Sequence, residues 1–154
     1  MNIIYCCSGG THSSITAAFI HLSQLPVERV PTKEEILKTP FDTIEPKDVG
    51  RIIYRGTDEF GNKVFTLSKK QAGEIVIPAL IDLNRLLGFS PDNLQIANTH
   101  PAVNIFMKIG GYTSRGLKLT RLGRPIVIYG TLKTYHNLVD IVRNVKDTIR
   151  KANI

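Results

Sequence analysis

Cys7 to Ser14, read Cys-Ser-Gly-Gly-Thr-His-Ser-Ser, bring together a thiol, two glycines, four hydroxyls and an imidazole within eight positions. A Gly-rich turn feeding a helix start presents free N–H groups and the positive end of a helix dipole, which together attract an anion of phosphate size. Gly9 and Gly10 allow positive φ and close approach of the backbone to a ligand. Ser8, Thr11, Ser13 and Ser14 add hydroxyl donors. A cysteine at a helix N-terminus gains thiolate character and becomes a nucleophile toward phosphorus or another electrophile. Cys7 fits that role; its neighbour Cys6 points to the opposite face of a strand and ranks second. His12 is the candidate acid/base, since imidazole titrates near neutral pH. The same residues also suit a plain strand-to-helix turn in which Thr11 or Ser13 caps the helix and the cysteines are small core residues.

Two nucleotide loops are excluded. A Walker A loop needs a lysine before its Ser/Thr, and none is present. The dinucleotide fingerprint needs a third glycine that is also missing. No cofactor is expected. Three further residues could reach the same edge of a parallel sheet: His100, after a short strand; His136, after a late one; and Arg115, a phosphate-binding candidate from a basic loop. Three histidines without a carboxylate or H-x-x-x-H spacing give no metal motif, so no metal is expected. His21 sits at helical spacing and reads as structural. Arg55 and Asp58 read as solvated loop charges.

The elements that must position these residues follow from periodicity. Asn2 to Cys7 is apolar on both faces, as in the centre of a covered sheet. Helical spacing begins at Ser13 (Ile15, Ala18, Phe19, Leu22) and stops at Leu25-Pro26. Pro31 to Lys38 predicts a short helix, with a capping box at Thr32 and Glu35. Residues 39–50, with two prolines and several acids, predict an exposed linker. Arg51–Tyr54 and Lys63–Leu67 predict a hairpin around Gly56–Asn62. Ser68 predicts the cap of a long helix, kinked at Pro78, with an inward stripe of Ala72, Ile75, Val76, Ala79, Leu80, Leu83, Leu86 and Leu87. Leu94–Ala97 predicts a strand, Ala102–Ile109 a short helix, and residues 112–124 a mobile basic connection. Pro125–Tyr129 predicts a late strand, and Tyr135–Lys151 a final helix. Alternating strands and helices give an α/β layered domain with a mainly parallel sheet and an antiparallel hairpin.

A chain of 154 residues suits one domain. A 42% apolar and 21% charged composition is ordinary for a globular protein. No apolar run reaches about 18 residues and no signal-peptide pattern opens the chain, so a cytosolic protein without a membrane span is expected. Cys6 and Cys7 are the only cysteines, which leaves no disulfide framework. The net charge of +7 favours anionic partners. Nucleic acid is disfavoured among them, because aromatics are few and not interleaved with the basic residues. A small phosphate-bearing or other anionic ligand is the expected partner.

The eight-residue loop resembles the phosphocysteine loop of sugar-phosphotransferase IIB subunits, Cys-Ser-x-Gly-x-x-Thr/Ser-Ser, whose cysteine accepts a phosphoryl group. Read from Cys6, it is similar to the Cys-x-x-x-x-x-Arg-Ser loop of low-molecular-weight tyrosine phosphatases, with His12 in place of the arginine and no late Asp-Pro pair to supply the acid. Across its length the chain resembles an uncharacterised family of Firmicutes proteins. The shared features are an opening I-I-Y-x-C-x-G-G-x-H-S-S (Ile3–Ser14), a middle G-x-D-E-x-G-x-x-V (Gly56–Val64) and a late Gly-x-x-x-x-Tyr (Gly130–Tyr135). That resemblance implies one intact domain and carries no activity. Two functions remain: Cys-dependent phosphoryl chemistry as an enzyme or carrier, and a non-catalytic module that senses a nucleotide or phosphorylated metabolite.

Overall fold

The apolar run at the start becomes strand β1 (Asn2–Cys7), buried from Ile3 onward. In the computed structural model, which describes residues 1–152, β1 lies inside a four-stranded sheet. The strand order is β2 (Ile52–Thr57), β3 (Lys63–Ser68), β1, β4 (Leu94–Asn98). β1 is parallel to both neighbours, with Cys7 beside Ser68 and Cys6 beside Asn98. β2 adds the antiparallel edge. The protein is therefore α/β with a mixed, mostly parallel sheet, as the alternation of elements predicts.

Helices cover both faces. Ile3 and Tyr5 pack under α1 (Ser13–His21) and α6 (Tyr135–Ala152), with Leu138, Val139, Val142, Val145 and Ile149 of α6 turned inward. Ile4, Cys6 and Leu67 face the other way, against Val76, Ile77 and Leu80 of α3 (Gly73–Leu86). The short α2 (Lys33–Leu37) begins with the expected capping box of Thr32 and Glu35. No helix among the described residues is long and apolar enough to cross a membrane.

Five expectations are corrected. Pro125–Tyr129 is helical: it lies within α5 (Thr120–Lys133). An apolar run of five residues does not distinguish a strand from a buried helix. The deciding feature is close helix packing against α4 (Ile105–Gly111). A Cβ on Gly123 would lie 2.3 Å from the Ser114 nitrogen, and one on Gly110 would lie 2.4 Å from the Val127 nitrogen. Glycines at these positions let the two helices approach backbone to backbone. Residues 112–124 are not a loose connection, because a π-helical turn (Tyr112–Gly116) leads into α5. Ser68 ends β3 instead of capping α3, and α3 starts at Gly73. The stripe expected to face inward on α3 splits: Val76 and Leu80 meet the sheet, whereas Ile75 and Leu86 are 73% and 83% exposed. Finally, residues 39–50 are not wholly an exposed linker, since Phe41 and Asp42 are buried.

Candidate functional site

β1 ends at the carboxyl edge of the sheet, where open α/β sheets bind ligands. Both neighbouring strands hold the exit of β1. On the β3 side, the Lys69 and Lys70 N–H groups donate to the Cys7 and Ser8 carbonyls, each at 3.0 Å. The Ser68 hydroxyl donates to the Ser8 carbonyl at 2.9 Å. On the β4 side, the Thr99 N–H donates to the Cys6 carbonyl at 2.9 Å. Thr99 Oγ1 also lies 2.9 Å from Ser13 Oγ, tying the helix start to the sheet.

Gly10 is the residue the turn requires. Its φ is +65°, and a Cβ there would lie 2.7 Å from the Ser68 backbone. Gly9 has neither constraint: a Cβ on it would make only an ordinary 3.6 Å contact with Thr11. The turn folds over the thiol. Gly10 N–H donates to Cys7 Sγ at 3.1 Å, and Ser14 Oγ lies 3.4 Å from the same sulfur. Cys7 is buried, with 4% of its surface exposed. Cys6 is wholly buried on the other face of the sheet, where burial pushes its thiol up to about 11.

Among the described residues, the N–H groups of Thr11, His12, Ser13 and Ser14 donate to no protein group. The residue preceding α1 is His12, and it offers no side-chain cap. Capping by Thr11 or Ser13 is therefore not what their hydroxyls do. Thr11 Oγ1 accepts from Ile44 N–H at 3.3 Å, and Ser13 meets Thr99.

Beside the loop lies a cluster centred on Asp42, a residue with positive φ and no solvent exposure. Its N–H donates to the Thr11 carbonyl at 3.0 Å. Its Oδ1 accepts from His12 Nε2 at 3.0 Å and from Arg115 Nε at 2.6 Å. Its Oδ2 accepts from the Ser114 hydroxyl at 2.7 Å and from Arg124 Nε at 3.2 Å. Burial alone would push the Asp42 carboxyl up, but hydrogen bonds from His12, Ser114 and Arg115 outweigh it and hold the group well below the usual carboxylate range. Burial lowers the pKa of His12, and the two guanidiniums add to that, so His12 is neutral and donates through Nε2. Its ring packs on Phe41, and Gly111 stands beside its other nitrogen. Both arginines spend Nε on Asp42. Their terminal nitrogens make no bond among the described residues and are partly open, with side chains 34% and 39% exposed.

The remaining candidates lie at the edge of the site or outside it. His100 is exposed at the edge of the site, its Nδ1 3.5 Å from Ser8 Oγ. His136 is exposed at the start of α6, next to Tyr135, whose hydroxyl donates to the Pro26 carbonyl beyond α1. Arg55 donates to Thr66 on β3. Asp58 is buried, not solvated, and pairs with His21 at 3.0 Å. No group of three metal-ligating side chains occurs among the described residues.

The family model of a protein of unknown function, DUF3189, matches residues 2–147. The chain belongs to the DUF3189 family. The match begins in β1 and ends in α6, so it contains the loop, Asp42 and both arginines. No curated protein and no solved structure matches the chain. In this DUF3189 chain, sequence reasoning named Cys7, His12 and Arg115 but missed Asp42 and Arg124. The one local signal for Asp42 was Phe41 beside it, an aromatic in a segment otherwise rich in prolines and acids.

Proposed function

We propose that the Cys7–Ser14 loop binds a phosphate group or a similar anion, and that Cys7 is its nucleophile. The observation that carries this reading is the Cys7 sulfur, held inside the turn with the Gly10 N–H aimed at it. The unused N–H groups of Thr11 to Ser14 suit the anion's oxygens. Arg115 and Arg124 supply positive charge beside the loop, and Ser8 and the other hydroxyls line it. In this reading the Cys7 sulfur attacks phosphorus, an S–P bond forms and the P–O ester bond breaks, and the thiol proton passes through water to the departing oxygen. Hydrolysis of the S–P bond, or transfer to an acceptor, restores the thiol. The ligand is a small phosphate-bearing molecule in the cytosol. The local resemblance to phosphotransferase IIB and low-molecular-weight phosphatase loops supports the same chemistry.

A second reading is favoured by one feature of the site. His12 is buried and already donates to Asp42, so it is not free to serve as the acid beside the thiol. A non-catalytic module that binds a nucleotide or phosphorylated metabolite needs no such acid. The Cys7→Ser variant separates the two. Turnover of an aryl phosphate, or phosphoryl labelling of the protein, that disappears in this variant supports the nucleophile. Phosphate-dependent thermal stabilisation that survives in the variant, with no turnover in the parent chain, supports the binding module. Absence of both turnover and stabilisation in the parent chain rejects the anion site.

A further inference from the structure

We propose that a second cleft, between α2 and α5, binds a small organic dianion: a phosphate monoester with an apolar body. The cleft has a volume of about 210 Å³. Lys33, Arg121 and Arg124 surround it, and no carboxylate lines it. Neither Lys33 nor Arg121 forms an ion pair among the described residues. Arg124 uses only Nε, on Asp42, and leaves its two terminal nitrogens for a ligand. Asp42 offsets part of the Arg124 charge, but Lys33 and Arg121 have no such counter-charge, and a doubly charged group relieves their repulsion.

The apolar part of the lining argues against a bare inorganic ion. Leu37, Pro125 and Ile128 give the cleft this apolar lining, from the half-exposed Leu37 to the buried Ile128. This apolar surface suits a ring or a short hydrocarbon body, with the charged head at the rim near Thr120. Arg124 also connects the cleft to the Cys7 loop. The Asp42 carboxylate it touches receives His12 and Arg115 as well, so a ligand on Arg124 is felt at the loop. The cleft does not depend on Cys7 being a nucleophile.

Titration of the 15N-labelled full chain with phenyl phosphate tests the assignment, with inorganic phosphate and benzyl alcohol as comparison probes. Phenyl phosphate is expected to shift the amides of Leu37, Thr120 and Ile128. The double variant Lys33→Ala/Arg121→Ala is expected to weaken that binding by about tenfold. Shifts confined to residues 7–14, an unaltered affinity in the double variant, or equal cleft shifts with benzyl alcohol would each overturn the proposal. Cleft shifts with phenyl phosphate, together with no response of the loop to inorganic phosphate, would instead reject the loop reading and keep the cleft.

Discussion

Helix α1 carries a histidine at each end, and each donates to a buried aspartate at 3.0 Å, yet the two pairs are built for different purposes. At the C-terminal end, His21 and Asp58 form a closed network. Asp58 Oδ1 accepts the Phe60 and Asn62 N–H groups at 2.9 and 2.8 Å, and Oδ2 accepts Asn62 Nδ2 at 2.9 Å. His21 Nδ1 accepts the Tyr5 hydroxyl proton at 2.7 Å. Everything that touches this carboxylate is backbone, amide or imidazole, and every group is used. The network pins the hairpin tip to α1 and β1. At the N-terminal end, the Asp42 carboxylate is just as buried, but two of its four donors are guanidiniums that reach in from solvent. A buried His–Asp pair does not by itself make a site. The donors left unused around it do.

The largest expected effect is on stability, at the closed pair. Asp58→Ala strands the His21 proton and two hairpin N–H groups, and is expected to cost about 3–5 kcal/mol by urea unfolding. Anion binding by the folded fraction should be unchanged. Asp42→Asn is the matching test at the open pair. Asparagine tolerates the positive φ at this position, and the freed arginines can be solvated, so about 2 kcal/mol is expected. Its main consequence should be loss of phosphate binding, since an uncharged amide with a single acceptor oxygen can no longer fix both guanidiniums. If Asp42→Asn destabilised as much as Asp58→Ala and left phosphate binding intact, the two pairs would be equivalent and the distinction would fail.

The contrast also explains what the sequence revealed. β1, the hairpin, the capping box of α2 and the Cys7 turn are patterns among residues a few positions apart, so they are legible without the fold. His21 could be read as structural from its spacing within α1. Asp42 could not be read, because its partners Ser114, Arg115 and Arg124 lie more than seventy positions away and its own neighbourhood resembles a linker. The same distance hid the helical nature of Pro125–Tyr129. Its β-branched residues suggest a strand, and only the pairing of Gly110 and Gly123 across two helices decides otherwise. Asp58 looked like turn charge for a related reason: its burial depends on α1 packing over the hairpin.

Acid should weaken both pairs in two steps. Burial depresses the pKa of His12 and of His21, so below about pH 6.5 the unfolded chain takes up protons that the folded chain refuses. Stability therefore falls as the pH drops from about 6.5. Asp42 and Asp58 are both held low by hydrogen bonds that outweigh burial. Near pH 4 the unfolded carboxylates protonate first, and a second loss begins. Unfolding midpoints measured from pH 8 to 3.5 should show both losses. In Asp42→Asn the second loss should shrink while the Asp58 share persists. A midpoint that stays level between pH 7 and 5 would mean that neither histidine is held neutral.

The smallest effect is expected from Arg115→Lys, which keeps the charge and removes the fork. A lysine can reach Asp42 or a ligand with its ammonium, but it cannot give Nε to Oδ1 while directing separate nitrogens outward. The Arg115 side chain is a third exposed, so the stability change should stay below about 1 kcal/mol. Phosphate affinity should fall by about three- to tenfold, because the anion loses a planar donor pair and keeps a point charge. The same substitution at Arg124 should weaken phenyl phosphate binding in the α2–α5 cleft as well as phosphate binding at the loop. An Arg124→Lys variant that affects only one of the two would show that Asp42 does not couple them.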